Sequence, residues 1–359
     1  MGMVSNGRVP AAAGAPSESR RKLAARLGLN VPTGWWPVAP LAKSFEAAGL
    51  RWVQVHTPPR EMLCDPGRAA RHAARLRAAL DITRLELVLH APDDLSAGAP
   101  DHDRALDGLI DYAAVARARF VVYHGVNFRT VDGGHGAARA AARAERERES
   151  LAARLRAIAA TGFVLAIENL APVWPGPARL CHSPVRVREL VDDLRSPHVG
   201  MTFDVGHAHI TADQLGGDMQ PVLTAVRDSV VLFHLHDNLG ARRGGVAAAG
   251  VDPLRLDLHL APGGGTVPWH ALGPTLLDHR APLVLEVHPP HRPEPLNLAG
   301  SPPSCCRPAR PGFRAAACGG PAYELHGSHP LTAGRPYRKP RLPGKMQDKH
   351  QLQRRSASR

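Results

Sequence analysis

The sequence predicts an α/β fold, a (β/α)8 TIM barrel over residues 25–297 with disordered N- and C-terminal extensions, and three observations support it. Short apolar runs rich in β-branched residues recur at intervals of a few tens of residues. Most segments between them carry Ala, Leu and Arg with helical spacing, and apolar strands separated by helices are typical of parallel βαβ units. Eight such repeats fit a closed barrel. The rival fold, a doubly wound open sheet, is disfavoured because no Gly-x-Gly-x-x-Gly motif follows the first strand.

The predicted strands and helices alternate along the barrel segment. Strands are expected at residues 27–31, 52–56, 85–90, 120–124, 163–168, 199–204, 230–236 and 283–287. Helices are expected at residues 40–48, 67–80, 103–118, 137–160, 185–194 and 212–226. The last repeats are irregular, because residues 240–262 have the composition of a long loop. Loops that follow the strands build the catalytic face of such a barrel, so this loop indicates a functional site.

The net charge of +13 is concentrated near the end of the sequence. Residues 301–359 contain 12 Lys and Arg but only two acidic residues, Glu324 and Asp348. This Pro-rich segment has neither helical nor strand periodicity, which predicts a disordered basic tail over residues 298–359. The Ala, Gly, Ser and Pro content of residues 1–24 predicts a flexible N-terminus. Two explanations of the tail stay open: translation in the wrong reading frame, or an arm that binds nucleic acid or anionic surfaces.

Composition also disfavours membrane and secreted classes of protein. No run approaches about 18 uninterrupted apolar residues, so no membrane-spanning segment is expected. Five cysteines in 359 residues do not make a disulfide framework, and the N-terminus lacks the apolar stretch of a signal peptide. The expected location is therefore the cytoplasm.

Histidines and carboxylates follow almost every predicted strand. Those at strand ends are His90, His124, Glu168, Asp204, His207, His234, His236, Asp237, Glu286 and His288, and the long loop adds Asp257 and His259. The carboxyl ends of barrel strands surround one opening, so these side chains are expected to meet there. Charged groups at the ends of buried strands are costly unless they are paired or bind a metal. One such histidine is more often an ordinary core residue, but six consecutive strands with this ending predict a metal site.

These motifs resemble the xylose isomerase-like barrel superfamily, which includes endonuclease IV and many sugar isomerases and epimerases. The resemblance covers residues 25–297 and is specific when the motifs are taken together. Its carriers are His90-Ala-Pro, Ile-Glu168-Asn169, Phe-Asp204-Val-Gly-His207, His234-Leu-His236-Asp237, the segment from Asp257-Leu-His259 to Trp269, and Leu-Glu286. It implies a metal-dependent enzyme.

The sugar epimerase branch of this superfamily implies a single divalent ion, Mn²⁺, Co²⁺ or Mg²⁺. Its ligands here would be Glu168, Asp204, His234 and Glu286, an oxygen-rich set that suits these ions. Glu168 and Glu286 would also be the catalytic residues, exchanging a proton with a substrate carbon while the ion stabilises the enediolate. The resemblance places His207 against a substrate oxygen, and we expect His236 to bind substrate as well.

The endonuclease IV branch implies three zinc ions and nine ligands. All nine types are present, as His90, His124, Glu168, Asp204, His207, His234, Asp257, His259 and Glu286. Clustered ions activate water and stabilise a phosphate leaving group. The alternative function is therefore a trinuclear zinc phosphoesterase that cleaves DNA at abasic sites, and nucleic acid is a partner only under this alternative.

The residues around the ligands depart from the DNA-repair pattern. Where the DNA-repair branch has Asp-Thr-Cys-His, this chain has Asp204-Val-Gly-His207. Gly263-Gly264-Gly265 replaces its Gly-Glu-Gly and lacks the Glu, and Glu286-Val-His288 replaces its Glu-Thr-Pro. These departures favour the other branch. The leading hypothesis is thus a sugar or sugar phosphate isomerase or epimerase, and a homo-oligomer is compatible with it.

Smaller signals have structural alternatives. Trp35, after the first strand, either forms a wall of the sugar pocket or packs on its own loop. For Trp269 a structural role is favoured. The three glycines at 263–265 are more typical of a turn than of a phosphate-binding loop, because no Lys or Ser follows them.

Overall fold

A computed structural model of the chain describes residues 18–125, 127–128, 135–171, 178–179, 183–215, 217–241 and 257–292. The chain divides into two units, Met1–Arg307 and Pro308–Arg359, and every described residue lies in the first. Residues 1–17 of the predicted flexible N-terminus, which spans 1–24, and the whole predicted tail at 298–359 lie outside the described residues. Most of the predicted 240–262 loop lies outside them as well.

Eight parallel strands close into a barrel, which confirms the predicted fold class. The strands are β1 (Leu27–Asn30), β2 (Trp52–His56), β3 (Glu86–His90), β4 (Phe120–Tyr123), β6 (Val164–Glu168), β8 (Val199–Asp204), β9 (Val230–Leu235) and β10 (Leu283–Leu285). They follow one another around the barrel in chain order, and β10 pairs with β1. Two short strands, β5 (Asn127–Phe128) and β7 (Ala178–Arg179), form a separate antiparallel pair. All eight predicted barrel strands are present, and their ends differ from prediction by at most two residues.

The described residues form ten α-helices. They are α1 (Glu18–Ala24), α2 (Ala39–Ala47), α3 (Arg60–Leu63), α4 (Pro66–Leu80), α5 (Pro100–Ala116), α6 (His135–Thr161), α7 (Pro184–Leu194), α8 (Val205–Leu215), α9 (Met219–Val226) and α10 (Trp269–Asp278). Short 3-10 helices cover Arg227–Ser229 and Pro289–His291. Among these described helices, none has the length and apolar character needed to cross a membrane.

Helix α1 corrects the expectation that residues 18–24 are loose. Lys22 Nζ lies 2.8 Å from Glu18 Oε1, one helical turn away. Such an exposed pair contributes only about 0.2–0.5 kcal/mol. Leu23 packs against the hydrophobic core, and we ascribe the helix mainly to this apolar contact.

Helix α8 corrects the prediction of a single helix at residues 212–226. It begins at Val205, directly after the last residue of β8, and α9 follows as a separate helix. Asp204 Oδ1 accepts a hydrogen bond from the backbone N–H of His207 at 2.7 Å. A carboxylate in this position caps the first turn of a helix. The same contact fixes Asp204 and His207 side by side at the carboxyl end of the barrel.

The barrel interior contains a small apolar layer that supports the site. Its members are Val88, Val122, Ala166, Leu232 and Val284, all fully buried. Each is followed two positions later by a polar side chain, in the same order His90, His124, Glu168, His234 and Glu286. Because side chains alternate along a strand, residues two apart face the same side of the sheet. The alternation of side chains along each strand therefore places these polar side chains inside the barrel, next to the apolar layer.

Candidate metal centre

The carboxyl ends of the strands surround a chamber of about 470 Å³. Its wall contains seven of the predicted site residues, His90, His124, Glu168, His207, Asp257, His259 and Glu286, together with Asn30, His56, Asp93 and His288. Asp204 and His234 are fully buried beside it. The other two residues expected to bind substrate lie elsewhere, because His236 is fully buried and Trp35 packs against the hydrophobic core.

A central group is formed by Glu168, Asp204, His234 and Glu286, whose ligand atoms all lie within 4.8 Å of one another. Nδ1 of His234 is 3.2 Å from Glu168 Oε1, 3.5 Å from Glu286 Oε2 and 3.7 Å from Asp204 Oδ2. All four side chains are buried. Three carboxylates and one imidazole thus converge on one point, as the sugar epimerase pattern requires.

Gln54 on β2 forms hydrogen bonds with two members of this group, Glu286 and His234, and no sequence motif marks it. Its amide N–H donates to Glu286 Oε1, and its amide oxygen lies 2.7 Å from His234 Nε2. Because an amide oxygen only accepts, His234 donates its Nε2–H to Gln54, and Nδ1 is the ring nitrogen that faces the three carboxylates. The alternation of β2 places Gln54 inside the barrel, two residues after Trp52.

Replacing Gln54 with Leu is expected to weaken Mn²⁺ binding by about 10–100-fold, the usual cost of removing the partner of a metal-ligating histidine. The leucine keeps most of the volume but accepts no hydrogen bond from His234 and donates none to Glu286. Titration calorimetry of the metal-free chain with Mn²⁺ measures the change. Gln220→Leu on α9, remote from the chamber, is the matched control and should bind Mn²⁺ like the wild type. An affinity for Gln54→Leu within twofold of the control would contradict this role.

A second group consists of His90, His124 and Glu168. Glu168 Oε2 lies 3.3 Å from His124 Nε2 and 3.7 Å from His90 Nε2. His90 donates its Nδ1–H to the backbone oxygen of Ala91 at 2.8 Å, which leaves Nε2 free. Glu168 therefore offers one oxygen to this group and the other to the central group.

A third group surrounds Asp257. Its Oδ2 lies 3.1 Å from His207 Nε2 and 3.2 Å from His259 Nε2. The Nδ1–H of His207 donates to the backbone oxygen of Asn169 at 3.0 Å. The Nδ1–H of His259 donates likewise to the backbone oxygen of Glu286 at 2.6 Å. Both imidazoles are thus oriented by the backbone, with Nε2 directed at the same carboxylate.

The ionisation state of each of these side chains depends on the charges of its neighbours. Burial disfavours the protonated form of His259, but the carboxylate of Asp257 outweighs it and raises the pKa of this imidazole to about 9. Burial would raise the pKa of Glu286, yet the imidazoles of His234, His90 and His259 together outweigh it and lower that pKa to about 2. The pKa of Glu168 is held well below its usual range against the same burial effect, chiefly by His234. The two glutamates are therefore ionised at neutral pH, the state that binds a cation.

Two structural observations indicate that the residues of the three groups are suited to bind divalent cations. Buried oxygens of three carboxylates, Glu168 Oε2, Asp204 Oδ2 and Asp257 Oδ1, make no hydrogen bond with the described residues. Four histidines, namely His90, His207, His234 and His259, each donate one ring N–H to a backbone or amide oxygen and turn the other nitrogen to a carboxylate. This is the usual setting of metal-ligating histidines.

Asp237 positions the loop that carries Asp257 and His259. Its carboxylate is fully buried and accepts four N–H donors, from the backbones of Asn238, Gly263 and Val267 and from Trp269 Nε1, at 2.8–3.0 Å. Trp269 is therefore structural, as expected. Gly263 has φ +90°, and a Cβ on Gly265 would lie 2.1 Å from the backbone oxygen of Asn238. The glycines thus form the expected turn, whose close approach a side chain would block.

Comparison with known proteins places this geometry in context. Residues 42–302 match the family described as xylose isomerase-like TIM barrel. Among curated proteins, none matches the sequence significantly. A D-tagatose 3-epimerase-like protein is 18% identical with a TM-score of 0.54, over 73% of this chain and 90% of that one. The 3-keto-D-glucoside 4-epimerase YcjR from E. coli is 15% identical with a TM-score of 0.53, over 73% and 92%.

A third similar structure belongs to a different reaction class. The probable 3-DHS dehydratase AsbF from Bacillus anthracis is 12% identical with a TM-score of 0.53, over 73% of this chain and 92% of that one. At these identities the likeness concerns the fold. The reaction must therefore be argued from the site itself.

Proposed function

We propose, since this chain belongs to the xylose isomerase-like TIM barrel family, that it is a metal-dependent isomerase or epimerase of a sugar or sugar phosphate. The observation that carries the proposal is the pair of buried glutamates in the chamber. Glu168 ends β6 and Glu286 follows β10, and both reach His234 Nδ1, at 3.2 and 3.5 Å. Epimerisation needs a proton-transfer group on each face of one substrate carbon, and two carboxylates beside a single cation position can fill both roles.

The chain's own residues supply the proton transfers. In isomerisation, one glutamate accepts the proton from the carbon next to the substrate carbonyl and returns it to the neighbouring carbon. In epimerisation, the second glutamate first takes a proton from solvent and then donates it to the opposite face of the same carbon. Glu286 Oε1 is held by Gln54, which leaves Oε2 as the atom that carries the proton. Glu168 Oε2 makes no hydrogen bond with the described residues and is the corresponding atom on the other side.

A divalent ion held by Glu168, Asp204, His234 and Glu286 would act as a Lewis acid that stabilises negative charge on the substrate oxygens. His207 lines the chamber beside this group, but its Nδ1 is held by the backbone oxygen of Asn169 and its Nε2 faces Asp257, so we assign it to the third group and not to a substrate oxygen. Burial of all four ligands keeps water away from the proton-transfer step.

The proposal is tested by offering the full chain a panel of free and phosphorylated aldoses and ketoses. The assays contain Mn²⁺, Co²⁺ or Mg²⁺, and products are separated by chromatography. Interconversion of at least one pair of sugars is expected, and it should stop when the metal is removed with a chelator. A metal-loaded chain that converts no member of the panel contradicts the proposal.

A second candidate, a trinuclear zinc phosphoesterase, is favoured by one observation. The central, second and third groups lie in one chamber, and Glu168 belongs to two of them. Three ions in this arrangement could activate water and stabilise a leaving phosphate oxygen. About three zinc ions per chain together with cleavage of an abasic oligonucleotide would favour this candidate over the isomerase.

A further inference from the structure

The third group has a fourth member that the family resemblance does not assign to it. His236 lies with His207, Asp257 and His259, and ligand atoms of the four are all within 4.8 Å of one another. From its motif, His236 was expected to bind substrate. Its side chain is fully buried, however, and is not part of the chamber wall. A different role is needed for this imidazole.

Both ring nitrogens of His236 lack a hydrogen bond among the described residues. A buried imidazole in that state is costly, because it has lost its contacts with water. Nε2 lies 3.0 Å from Asp204 Oδ1 and 3.7 Å from Asp257 Oδ1, so it faces carboxylate oxygens. An imidazole in this position, beside two carboxylates, is suited to bind a cation together with them.

The fold makes room for this ring. His236 stacks on His259, with ring centroids 4.0 Å apart and an interplanar angle of 15°. On α8, a Cβ at Gly206 would lie only 2.0 Å from Cε1 of His236. The glycine in the Asp204-Val-Gly-His207 motif is therefore what allows the imidazole to reach the group.

We propose that His236 is the fourth protein ligand of a zinc ion held by His207, Asp257 and His259. Three imidazoles and one carboxylate suit Zn²⁺, whose bonds of about 2.0–2.1 Å in a tetrahedron separate the ligand atoms by about 3.3 Å. Asp257 Oδ2 lies 3.1 and 3.2 Å from the Nε2 atoms of His207 and His259, and Asp257 Oδ1 lies 3.7 Å from Nε2 of His236. Four protein ligands leave no open position. This zinc therefore stabilises the loop that carries Asp257 and His259, and it does not bind substrate.

The inference rests on the proposed function only in that the chamber binds divalent ions. The zinc site requires no particular sugar substrate. No sugar conversion is measured in the test below, so either proposal can fail while the other stands.

The test measures zinc in the full chain by mass spectrometry and its affinity by competition with a chelator. His236→Ala should lose one zinc per chain. Its zinc affinity should fall by more than the roughly 10–100-fold that is lost when a residue hydrogen-bonded to a metal ligand is removed. His288→Ala is the matched control, since His288 also stacks on His259, at 4.8 Å, but is not a member of the group. Its zinc content should equal that of the wild type. Unchanged zinc content and affinity in His236→Ala would overturn the inference.

The lost ion must also be the right one. Asp257→Asn should lose the same zinc, and the double variant His236→Ala/Asp257→Asn should lose no more than either single variant. If His236 instead only donates to Asp204, its loss will remove the ion that Asp204→Asn removes, and the inference is wrong.

A measurement on Glu286→Gln covers the case in which His236→Ala does not fold, because this variant weakens the central group that would otherwise compete for the ion. One equivalent of Co²⁺ added to the metal-free Glu286→Gln variant should give the strong visible absorption of a tetrahedral ion. Azide should leave this spectrum unchanged, because the four protein ligands leave no place for it. A weak spectrum, or one that azide shifts, would overturn the inference.

Discussion

Glu168→Gln and Glu286→Gln should each lower kcat by at least about 10²–10⁴-fold, the range that a positioned proton-transfer group contributes. Glutamine keeps the size of the side chain but cannot accept a proton from carbon. The effect should exceed that of any substitution outside the chamber, since each glutamate both transfers a proton and contributes an oxygen to the central group. The measurement is the rate at which the metal-loaded chain exchanges a sugar C–H with solvent deuterium.

Two controls separate this loss from other causes. Glu189→Gln on the exposed face of α7 removes a carboxylate remote from the chamber and should exchange at the wild-type rate. Metal content of each variant, measured alongside, distinguishes loss of the base from loss of the ion. Undiminished exchange in both Glu168→Gln and Glu286→Gln would reject the assignment of these residues.

Asp237→Ala should lower the free energy of unfolding by about 3 kcal/mol or more. Four N–H donors lose their common acceptor in a buried setting, and each unsatisfied donor costs about 1–3 kcal/mol. The loop from Asp257 to Trp269 depends on these bonds, so the variant should also lose the ion of the third group. Urea unfolding of the full chain gives the stability change.

Asp218→Ala is the comparison for this second effect. Asp218 is an exposed carboxylate that caps α9 by accepting from the backbone N–H of Gln220 at 3.0 Å, and its loss should cost about 1 kcal/mol. If Asp237→Ala proved no more destabilising than Asp218→Ala, the buried carboxylate would not be the organiser of the loop.

The barrel strands could be predicted because each is an apolar run between helical segments, and parallel strands buried on both faces require that pattern. Helix α8 could not be predicted in the same way. It starts at Val205 without a loop, because Asp204 serves at once as strand end and helix cap. Helix α10 was also missed, since Pro274 inside it interrupts the helical pattern.

The meeting of the strand-end histidines and carboxylates could be predicted because barrel topology alone brings them to one opening. The role of Gln54 could not, since an amide is neither a usual ligand nor a titratable group. It meets Glu286, 232 positions away, only when β1 and β10 close the barrel. The burial of His236 is likewise a property of packing, because it depends on the space left by Gly206.

The central claim is that the chamber transfers a proton at carbon, and deuterium incorporation tests it most directly. The full chain, loaded with Mn²⁺, is incubated in deuterium oxide with each sugar of the panel, and the recovered sugars are analysed by mass spectrometry. We predict that at least one sugar gains a deuterium at the carbon next to its carbonyl, and that chelation of the metal prevents it. Absence of deuterium from every sugar would contradict this claim, and cleavage of an abasic oligonucleotide by the zinc-loaded chain would then favour the phosphoesterase.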